Sequence, residues 1–311
     1  MAATKFTKED VVCFLGDSIT QNGGWIRRIY EHYRREGILC KIFNSGVGGD
    51  TAEHAIWRLE ETVFCYNPTH VVVAFGMNDC SYTVFKNEPL TEKWVIYRRR
   101  RQDNCIHYLR LITKSCLDRG IAVTLCAPTI TDELTDLDHS AVYGAAAELQ
   151  EIGLRIRALS EEMGVGCVDI THPFFRMQLQ LWKQDRTMVG ADRVHPVPEG
   201  HEFMAKAFLQ EQGFPVELPE TWEELETLAA QPHDPWEEKR YELELAANAN
   251  NFVDWNFGYG KRSREAMDAA IRQALQTEER EWLRQRLETY AAIRDEIPAR
   301  RQALIQHTFT V

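Results

Sequence analysis

Short apolar runs alternate with amphipathic segments along roughly the first 210 residues of the chain. In the longer segments between the runs, apolar residues recur at helical spacing. This alternation is typical of a parallel sheet whose strands are connected by helices, so the pattern predicts an α/β fold with a doubly wound sheet. The predicted strands are 11–15, 39–44, 70–75, 121–128 and 166–170, and the predicted helices are 24–36, 51–64, 91–119, 139–163, 173–184 and one that begins near residue 198.

Each of the first three predicted strands runs into a polar turn that contains glycine. The first turn carries Ser18, the second has three glycines within 46–49, and the third carries Asn78. Glycines at such a density indicate unusual backbone dihedrals or a close approach of another group. Because the carboxyl ends of parallel strands share one edge of a sheet, we expect Ser18, Gly49 and Asn78 to lie close together.

A later loop supplies a histidine and a carboxylate. Pro196 and Pro198 keep the residues around them out of a helix interior, so His195 is predicted to lie on a rigid loop. The spacing of Asp192 and His195 lets both side chains fold toward one point. A carboxylate there can fix the tautomer of the imidazole while the other ring nitrogen faces a nucleophile. His201 is a weaker candidate for the same base, because it lies on the helix that follows.

Each of these residues also has a plainer interpretation. Ser18 could cap a helix, Gly49 could enable a tight turn, and Asn78 could form an Asx-turn. Asp192 and His195 could be a surface ion pair. All five residues lie at strand ends or in the matching loop, and this joint placement favours the functional interpretation.

Composition and charge limit the classes of partner. The chain has 311 residues, 44% of them hydrophobic, and a formal net charge of −11, which argues against a nucleic acid or an anionic membrane as partner. The start of the chain has no apolar core of a signal peptide, and no apolar run approaches the ~20 residues that span a bilayer. The eight cysteines show no paired spacing. We interpret them as reduced and predict a cytoplasmic protein.

The basic run 98–101 could bind an anion, but such runs are more often solvated faces.

Four short motifs resemble the four blocks of the SGNH, or GDSL-type, esterases and lipases. They occur in the order that the family shows and cover roughly residues 9–213. The first block has Ile19 where the name-giving form has leucine, which is a conservative change. The matching segments are Gly16-Asp17-Ser18, the glycine of Gly49-Asp50-Thr51, Gly76-Met77-Asn78-Asp79 and Asp192-Arg193-Val194-His195-Pro196.

The resemblance implies a doubly wound, flavodoxin-like α/β sheet and a set of residue roles. Ser18 would be the nucleophile, His195 the general base and then acid, and Asp192 the carboxylate that orients the ring. The oxyanion would be held by the backbone N–H groups of Ser18 and Gly49 and by the side-chain amide of Asn78. The family's pocket is usually open, and it requires neither a metal nor a cofactor.

The function that this resemblance implies is hydrolysis of carboxylic esters through an acyl-Ser18 intermediate. We expect the substrate to be a small ester, with a short acyl group such as acetyl on a carbohydrate or related metabolite. The alternatives are a thioesterase or a lipase-type hydrolase of longer acyl chains, and acyl transfer to an alcohol. A binding or assembly module on a catalytically silent fold is a further alternative.

The chain after about residue 213 lies outside the resemblance. We predict an α/β domain over 1–213 and a helical extension over 214–311, which holds 12 basic and 19 acidic residues. Its predicted helices cover 222–229, 236–249 and 263–307. We expect the extension to pack on the first domain or to form a homo-oligomer interface. The aromatic segment 250–260 could reach over an active site, or it could only tie the extension to the sheet domain.

Overall fold

The computed structural model describes residues 3–82, 91–133, 144–247 and 296–309, together with isolated helical positions from 269 to 292. The chain forms two compact units, Met1–Pro232 and His233–Val311. This division lies after the sequence-based boundary at 213. The reason is that a helix at Trp222–Ala229 packs against a helix at Pro198–Glu211 of the first unit.

The first unit confirms the predicted doubly wound sheet. Five strands, all parallel, lie in the order β2-β1-β3-β4-β5. In this register Gly16 at the end of β1 pairs with Gly46 of β2 and with Ala74 of β3. The three strands therefore end level with one another, and their polar turns leave the sheet at one edge. The strands are β1 Val11–Gly16, β2 Lys41–Gly46, β3 His70–Ala74, β4 Ala122–Cys126 and β5 Gly166–Val168.

Helices connect the strands and cover the sheet on both faces. Because crossovers between parallel strands are right-handed, the connections on either side of β1 lie on opposite faces. Among the described residues of the first unit, the α-helices are α1 Ser18–Asn22, α2 Gly24–Arg35, α3 Ala52–Ala55, α4 Leu59–Thr62, α5 Glu92–Leu117, α6 Ala145–Met163, α7 Thr171–Trp182, α8 Pro198–Glu211 and α9 Trp222–Ala229.

An aromatic cluster holds α2 and α8 against β1. The Phe14 ring of β1 lies 5.2 Å from that of Trp25 on α2 and 5.7 Å from that of Phe208 on α8, centroid to centroid. All three side chains are fully buried. Burial of one such ring stabilises a fold by about 1.5–3 kcal/mol. The apolar stripe predicted for α2 is therefore confirmed as a core face.

The predicted helix 51–64 is broken in the structure. Between α3 and α4 the chain tightens into a 3-10 turn, Ile56–Arg58, and the backbone of Arg58 (φ −112°, ψ 5°) leaves helical geometry. The side chain of Arg58 is buried, whereas that of Trp57 is 63% exposed. The helical period fails here because a charged side chain enters the interior in place of its apolar neighbour.

The second unit contains α10, Pro235–Ala247, and α11, Ile297–Phe309, which pack against each other. Arg240 on α10 is fully buried and makes a bidentate ion pair with Glu237, both bonds being 2.7 Å long. A third bond, of 3.0 Å, joins it to Glu244. The aromatic segment 250–260 and most of the predicted helix 263–307 lie outside the described residues.

All eight cysteines lie in the described part of the chain, and none forms a disulfide. Six of them are buried, which agrees with the interpretation of reduced, structural residues. Within the described ranges, no helix has the length and apolar character needed to cross a bilayer.

We expect the buried His70 to make stability depend on pH. It begins β3, its Nε2 lies 2.8 Å from Thr124 Oγ1, and burial lowers its pKa to about 4, against the opposing attraction of Asp10. Since the ordinary value is 6.5, the unfolded chain binds more protons between these pH values. The contribution of neutral His70 is therefore complete above about pH 6.5 and is lost as the pH falls toward 4.

Urea unfolding of wild type and His70→Gln from pH 7.5 to 4 tests this expectation. The free energy of unfolding of wild type, minus that of His70→Gln, should fall by a few kcal/mol on acidification. Each unit of pKa shift accounts for about 1.36 kcal/mol of this fall. A difference that stays constant with pH would contradict it.

Candidate active site

Ser18 lies at the corner between β1 and α1. Asp17 caps this helix, because its Oδ1 accepts the backbone N–H of Ile19 at 3.0 Å. The alternative that Ser18 serves as the helix cap is therefore wrong. Ser18 is the first residue of α1, and its hydroxyl is available to side chains above the sheet edge.

The loop between α7 and α8 brings His195 to this hydroxyl. An isolated antiparallel bridge joins Val189 to Pro196, and the N–H of Gly190 donates to the carbonyl oxygen of His195 at 2.8 Å. These bonds close the loop into a tight hairpin. The Nε2 atom of His195 lies 2.7 Å from Ser18 Oγ. Two side chains that are 177 positions apart in the chain are thus in hydrogen-bond contact.

Asp192 holds the other side of the imidazole. Its Oδ2 lies 2.5 Å from His195 Nδ1, and its Oδ1 accepts the backbone N–H groups of Val194 and His195, both at 3.0 Å. Burial acts to raise the pKa of Asp192, but these hydrogen bonds outweigh it and hold the pKa below its ordinary value. The side chains of His195 and Asp192 are 43% and 53% exposed, so the site is open to solvent.

Gly49 and Asn78 are linked through Asp50. The Asn78 Nδ2 donates to the carbonyl oxygen of Asp50 at 2.8 Å, and since this amide has two hydrogens, one is left for a ligand. Gly49 has a φ of +82°, which favours glycine. A Cβ added at Gly48 would lie 3.8 Å from Ser18 Cβ, so the glycine loop runs beside the serine. Among the described residues, no turn or loop hydrogen bond joins the N–H group of Ser18 or Gly49 to a backbone carbonyl oxygen.

Asp79 links the turn after β3 to the start of α3 by hydrogen bonds. It is buried, and its carboxylate accepts the backbone N–H groups of Ala52, at 3.1 Å, and Gly76, at 3.2 Å. Burial raises its pKa to about 6. Arg101 donates to the carbonyl oxygens of Asn78 and Asp79, both at 3.3 Å. One member of the basic run 98–101 therefore supports the site rather than facing solvent.

Sequence reasoning missed Arg58, which lies beneath the site. Its guanidinium binds the carboxylate of Asp50 at 2.7 Å and the carbonyl oxygens of Ser45 and Gly16 at 2.8 and 3.1 Å. A single arginine between Trp57 and Leu59 on a predicted helix carries no local signal for this role. Its bonding partners come from three separate places in the chain.

A model of the GDSL-like lipase/acylhydrolase family matches residues 14–203, which include Ser18, Gly49, Asn78, Asp192 and His195. The chain belongs to this family.

Relatives of the GDSL-like chain include ester hydrolases. It is 24% identical to an acetylxylan esterase of Geobacillus stearothermophilus over 68% of this chain and 97% of the relative. It is 31% identical to the uncharacterized lipoprotein YqeF of Bacillus subtilis over 39% of this chain, and spans half the length of that relative. A solved structure of BT4096, a gut microbial diltiazem-metabolizing enzyme, aligns with 99% of this chain and 95% of its own at a TM-score of 0.81 and 18% identity, which supports the fold alone. The family model describes lipases and acylhydrolases, and one relative is an acetylxylan esterase.

The weaker candidate His201 does not belong to the hydrogen-bonded group of this GDSL-like site, and neither does the nearby thiol of Cys80. His201 is buried on α8, and a Cβ added at Gly24 of α2 would lie 2.8 Å from its Cγ. Burial lowers the pKa of His201 to about 4, and repulsion by His195 adds to the shift. Cys80 is buried, and burial raises the pKa of its thiol, so it is a poor nucleophile. No cluster of three or more potential metal-ligating His, Cys, Asp or Glu residues occurs in the described ranges.

A second Asp-x-x-His pair occurs after β5. Asp169 Oδ2 lies 2.7 Å from His172 Nδ1, and Asp169 Oδ1 accepts the N–H of His172 at 3.1 Å. This arrangement resembles that of Asp192 and His195. In the described part of the chain, however, no hydroxyl or thiol is hydrogen-bonded to His172 Nε2. This pair is therefore a natural control for the GDSL-like site.

We expect Asp17→Asn to stabilise the protein at neutral and alkaline pH. Burial raises the pKa of Asp17 from 3.8 to about 7, and the carboxylates of Asp79 and Asp50 add to the shift. The folded protein therefore binds more protons than the unfolded chain between these pH values, and the buried charge destabilises it increasingly as the pH rises. Asparagine keeps the oxygen that caps α1 and removes the charge.

Unfolding free energies of both proteins between pH 4.5 and 8.5 test this. As the pH rises toward 7, the free energy of unfolding of the variant should come to exceed that of wild type by a few kcal/mol. This excess should stay constant at higher pH. If the advantage does not grow with pH, the carboxyl group is ionised at a lower pH than inferred here.

Proposed function

We propose that the protein is a serine hydrolase that cleaves carboxylic esters through an acyl-Ser18 intermediate. The contact of 2.7 Å between Ser18 Oγ and His195 Nε2 carries this proposal, since Asp192 binds the opposite ring nitrogen. A hydroxyl, an imidazole and a carboxylate in this order are the groups that acyl transfer to serine requires.

In acylation, Ser18 Oγ attacks the ester carbonyl carbon while His195 Nε2 takes the hydroxyl proton. Asp192 stabilises the imidazolium that forms and holds its orientation. The carbonyl oxygen becomes negatively charged, and the N–H groups of Ser18 and Gly49 with the amide of Asn78 would bind it. Collapse of this intermediate breaks the bond to the alcohol oxygen, which receives the proton from His195.

In deacylation, water takes the place of the alcohol. His195 removes a proton from the water, whose oxygen attacks the acyl carbon, and the proton then passes to Ser18 Oγ as the acid is released. The exposure of His195 and Asp192 gives water access to the acyl-enzyme. This access supports hydrolysis over acyl transfer to an alcohol acceptor, which requires water to be excluded.

For the substrate, we propose a short acyl group, such as acetyl, on a carbohydrate. The acetylxylan esterase relative, which aligns over 68% of this chain, supports this choice. The suggested contribution of segment 250–260 lies outside the described residues. A cytoplasmic location and a homo-oligomer formed through residues 214–311 remain predictions from the sequence.

Removal of the nucleophile should abolish turnover. For Ser18→Ala we expect kcat/KM with p-nitrophenyl acetate to fall at least about a thousandfold, because water attack without acyl transfer to serine is far slower. Ser115→Ala, on α5, is the matched control and should keep wild-type activity. Equal inactivity of wild type and Ser18→Ala, with both folded by circular dichroism, would favour a binding module instead.

The two Asp-x-x-His pairs provide a second control in the same assay. His195→Ala should lose activity to a degree similar to Ser18→Ala, whereas His172→Ala should retain it. Equal losses in both histidine variants would mean that general structural damage, not loss of the base, explains the result.

Acyl length is tested with an ester panel. We expect kcat/KM to be highest for acetyl esters, including acetylated xylo-oligosaccharides, and to fall by about tenfold or more for octanoyl esters, since a site that fits a short acyl group discriminates against added methylenes. A higher kcat/KM for long p-nitrophenyl esters would favour a lipase. A higher kcat/KM for acyl thioesters would favour a thioesterase.

A further inference from the structure

Arg58 lies where the loops of the proposed oxyanion pocket meet. It is buried, and its Nη2 donates to the carbonyl oxygen of Gly16 at 3.1 Å, while its Nη1 donates to that of Ser45 at 2.8 Å. Nη1 also donates to the hydroxyl oxygens of Ser45, at 3.0 Å, and Thr62, at 2.9 Å. One side chain therefore joins the end of β1, which leads to Ser18, to the end of β2.

Asp50 extends this connection to the other two donors. It is fully buried, its Oδ2 accepts from Arg58 Nε at 2.7 Å, and its Oδ1 lies 3.7 Å from His54 Nδ1. Its carbonyl oxygen holds the amide of Asn78 at 2.8 Å, and Gly49 directly precedes it in the chain. The positions of the Gly49 N–H and the Asn78 amide therefore both depend on where Asp50 is held.

We infer that Arg58 is a positioning residue for the oxyanion pocket, which acts through Asp50 to set the places of Gly49 and Asn78 relative to Ser18. The inference rests on the proposed function, because these donors matter to catalysis only if an oxyanion forms at Ser18. Preorganised donors stabilise the transition state more than the bound ester. Loss of the positioning should therefore lower kcat while KM changes little.

Arg58→Lys is the central test. Lysine keeps a positive charge near Asp50, but one ammonium group cannot bind Asp50, Ser45 and Gly16 together as the planar guanidinium does. We expect kcat for p-nitrophenyl acetate to fall by about tenfold to a hundredfold, with KM changed by less than about twofold. These ranges follow from the cost of a displaced oxyanion donor.

Arg240→Lys is the matched control for the loss of a buried arginine. Arg240 is also fully buried and paired with two carboxylates, Glu237 and Glu244, but in the second unit. We expect its substitution to lower Tm and to leave kcat per folded enzyme unchanged. A fall in kcat common to both variants would be a general effect of destabilisation and would overturn the inference.

A double-mutant cycle with Asn78→Ala separates positioning from stability. If Arg58 acts through the Asp50–Asn78 link, Arg58→Lys should lower kcat by a smaller factor in the Asn78→Ala background than in wild type. If Arg58→Lys lowers kcat by the same factor in both backgrounds, the inference is overturned. It is also overturned if Arg58→Lys lowers Tm and leaves kcat unchanged.

If Arg58→Lys does not fold, Asp50→Asn takes its place in the same cycle. Asparagine keeps the side-chain shape but removes the carboxylate charge, so the ion pair with Arg58 becomes a weaker neutral hydrogen bond. We expect kcat to fall, by less than in Arg58→Lys, at nearly constant KM. An active wild type with unaffected kcat in the variant would overturn this inference alone. A wild type inactive on every ester would refute the proposed function and this inference together.

Discussion

The level ends of β1, β2 and β3 are the constraint on which the site depends. The parallel register sets Gly16 opposite Gly46 and Ala74, so all three chains leave the sheet at the same height. Backbone groups freed there still need hydrogen-bond partners, because buried groups left unpaired are costly. Asp17, Asp79 and Arg58 supply these partners. The side chains that hydrogen-bond the backbone at the strand ends are thus the same ones that hold the proposed catalytic loops in place.

This solution places several charges in the interior. Asp17, Asp50 and Asp79 are all buried close to one another, and Arg58 pairs directly with Asp50 alone. Desolvation and mutual repulsion raise the pKa of Asp17 to about 7 and that of Asp79 to about 6, so the cluster carries less negative charge near neutral pH than its composition implies. Less negative charge beneath the pocket favours the anion that develops above it.

Elements that show a regular spacing of apolar residues can be predicted from the sequence. Features that depend on contacts with distant parts of the chain cannot. The α2 stripe and the bounds of α9 follow from helical spacing and flanking residues, and the structure agrees. The second strand extends to Gly46, past its predicted end, because Gly46 still pairs with Gly16 of β1. The backbone nitrogen of Gln21 lies 2.1 Å from where a Cβ would stand at position 46, so glycine alone fits there. Arg58 breaks the predicted helix 51–64 because its partners include Gly16 of β1, Ser45 of β2 and Asp50, which all lie outside this segment of helix. The spacing of apolar residues in the sequence gives no sign of such contacts.

The two Asp-x-x-His pairs mark the limit of prediction for the site itself. In both pairs the aspartate accepts the backbone N–H and the Nδ1 side of a histidine three positions later, so the local structure does not distinguish them. One difference is at Nε2, where Ser18 meets His195 across 177 positions of chain. Another is that Arg157 donates to the carboxylate of Asp169. A short motif therefore specifies an oriented imidazole, and the fold decides whether a nucleophile faces it. For this reason the prediction of the site rests on four motifs in order, because any one of them would also fit a cap, a turn or an ion pair.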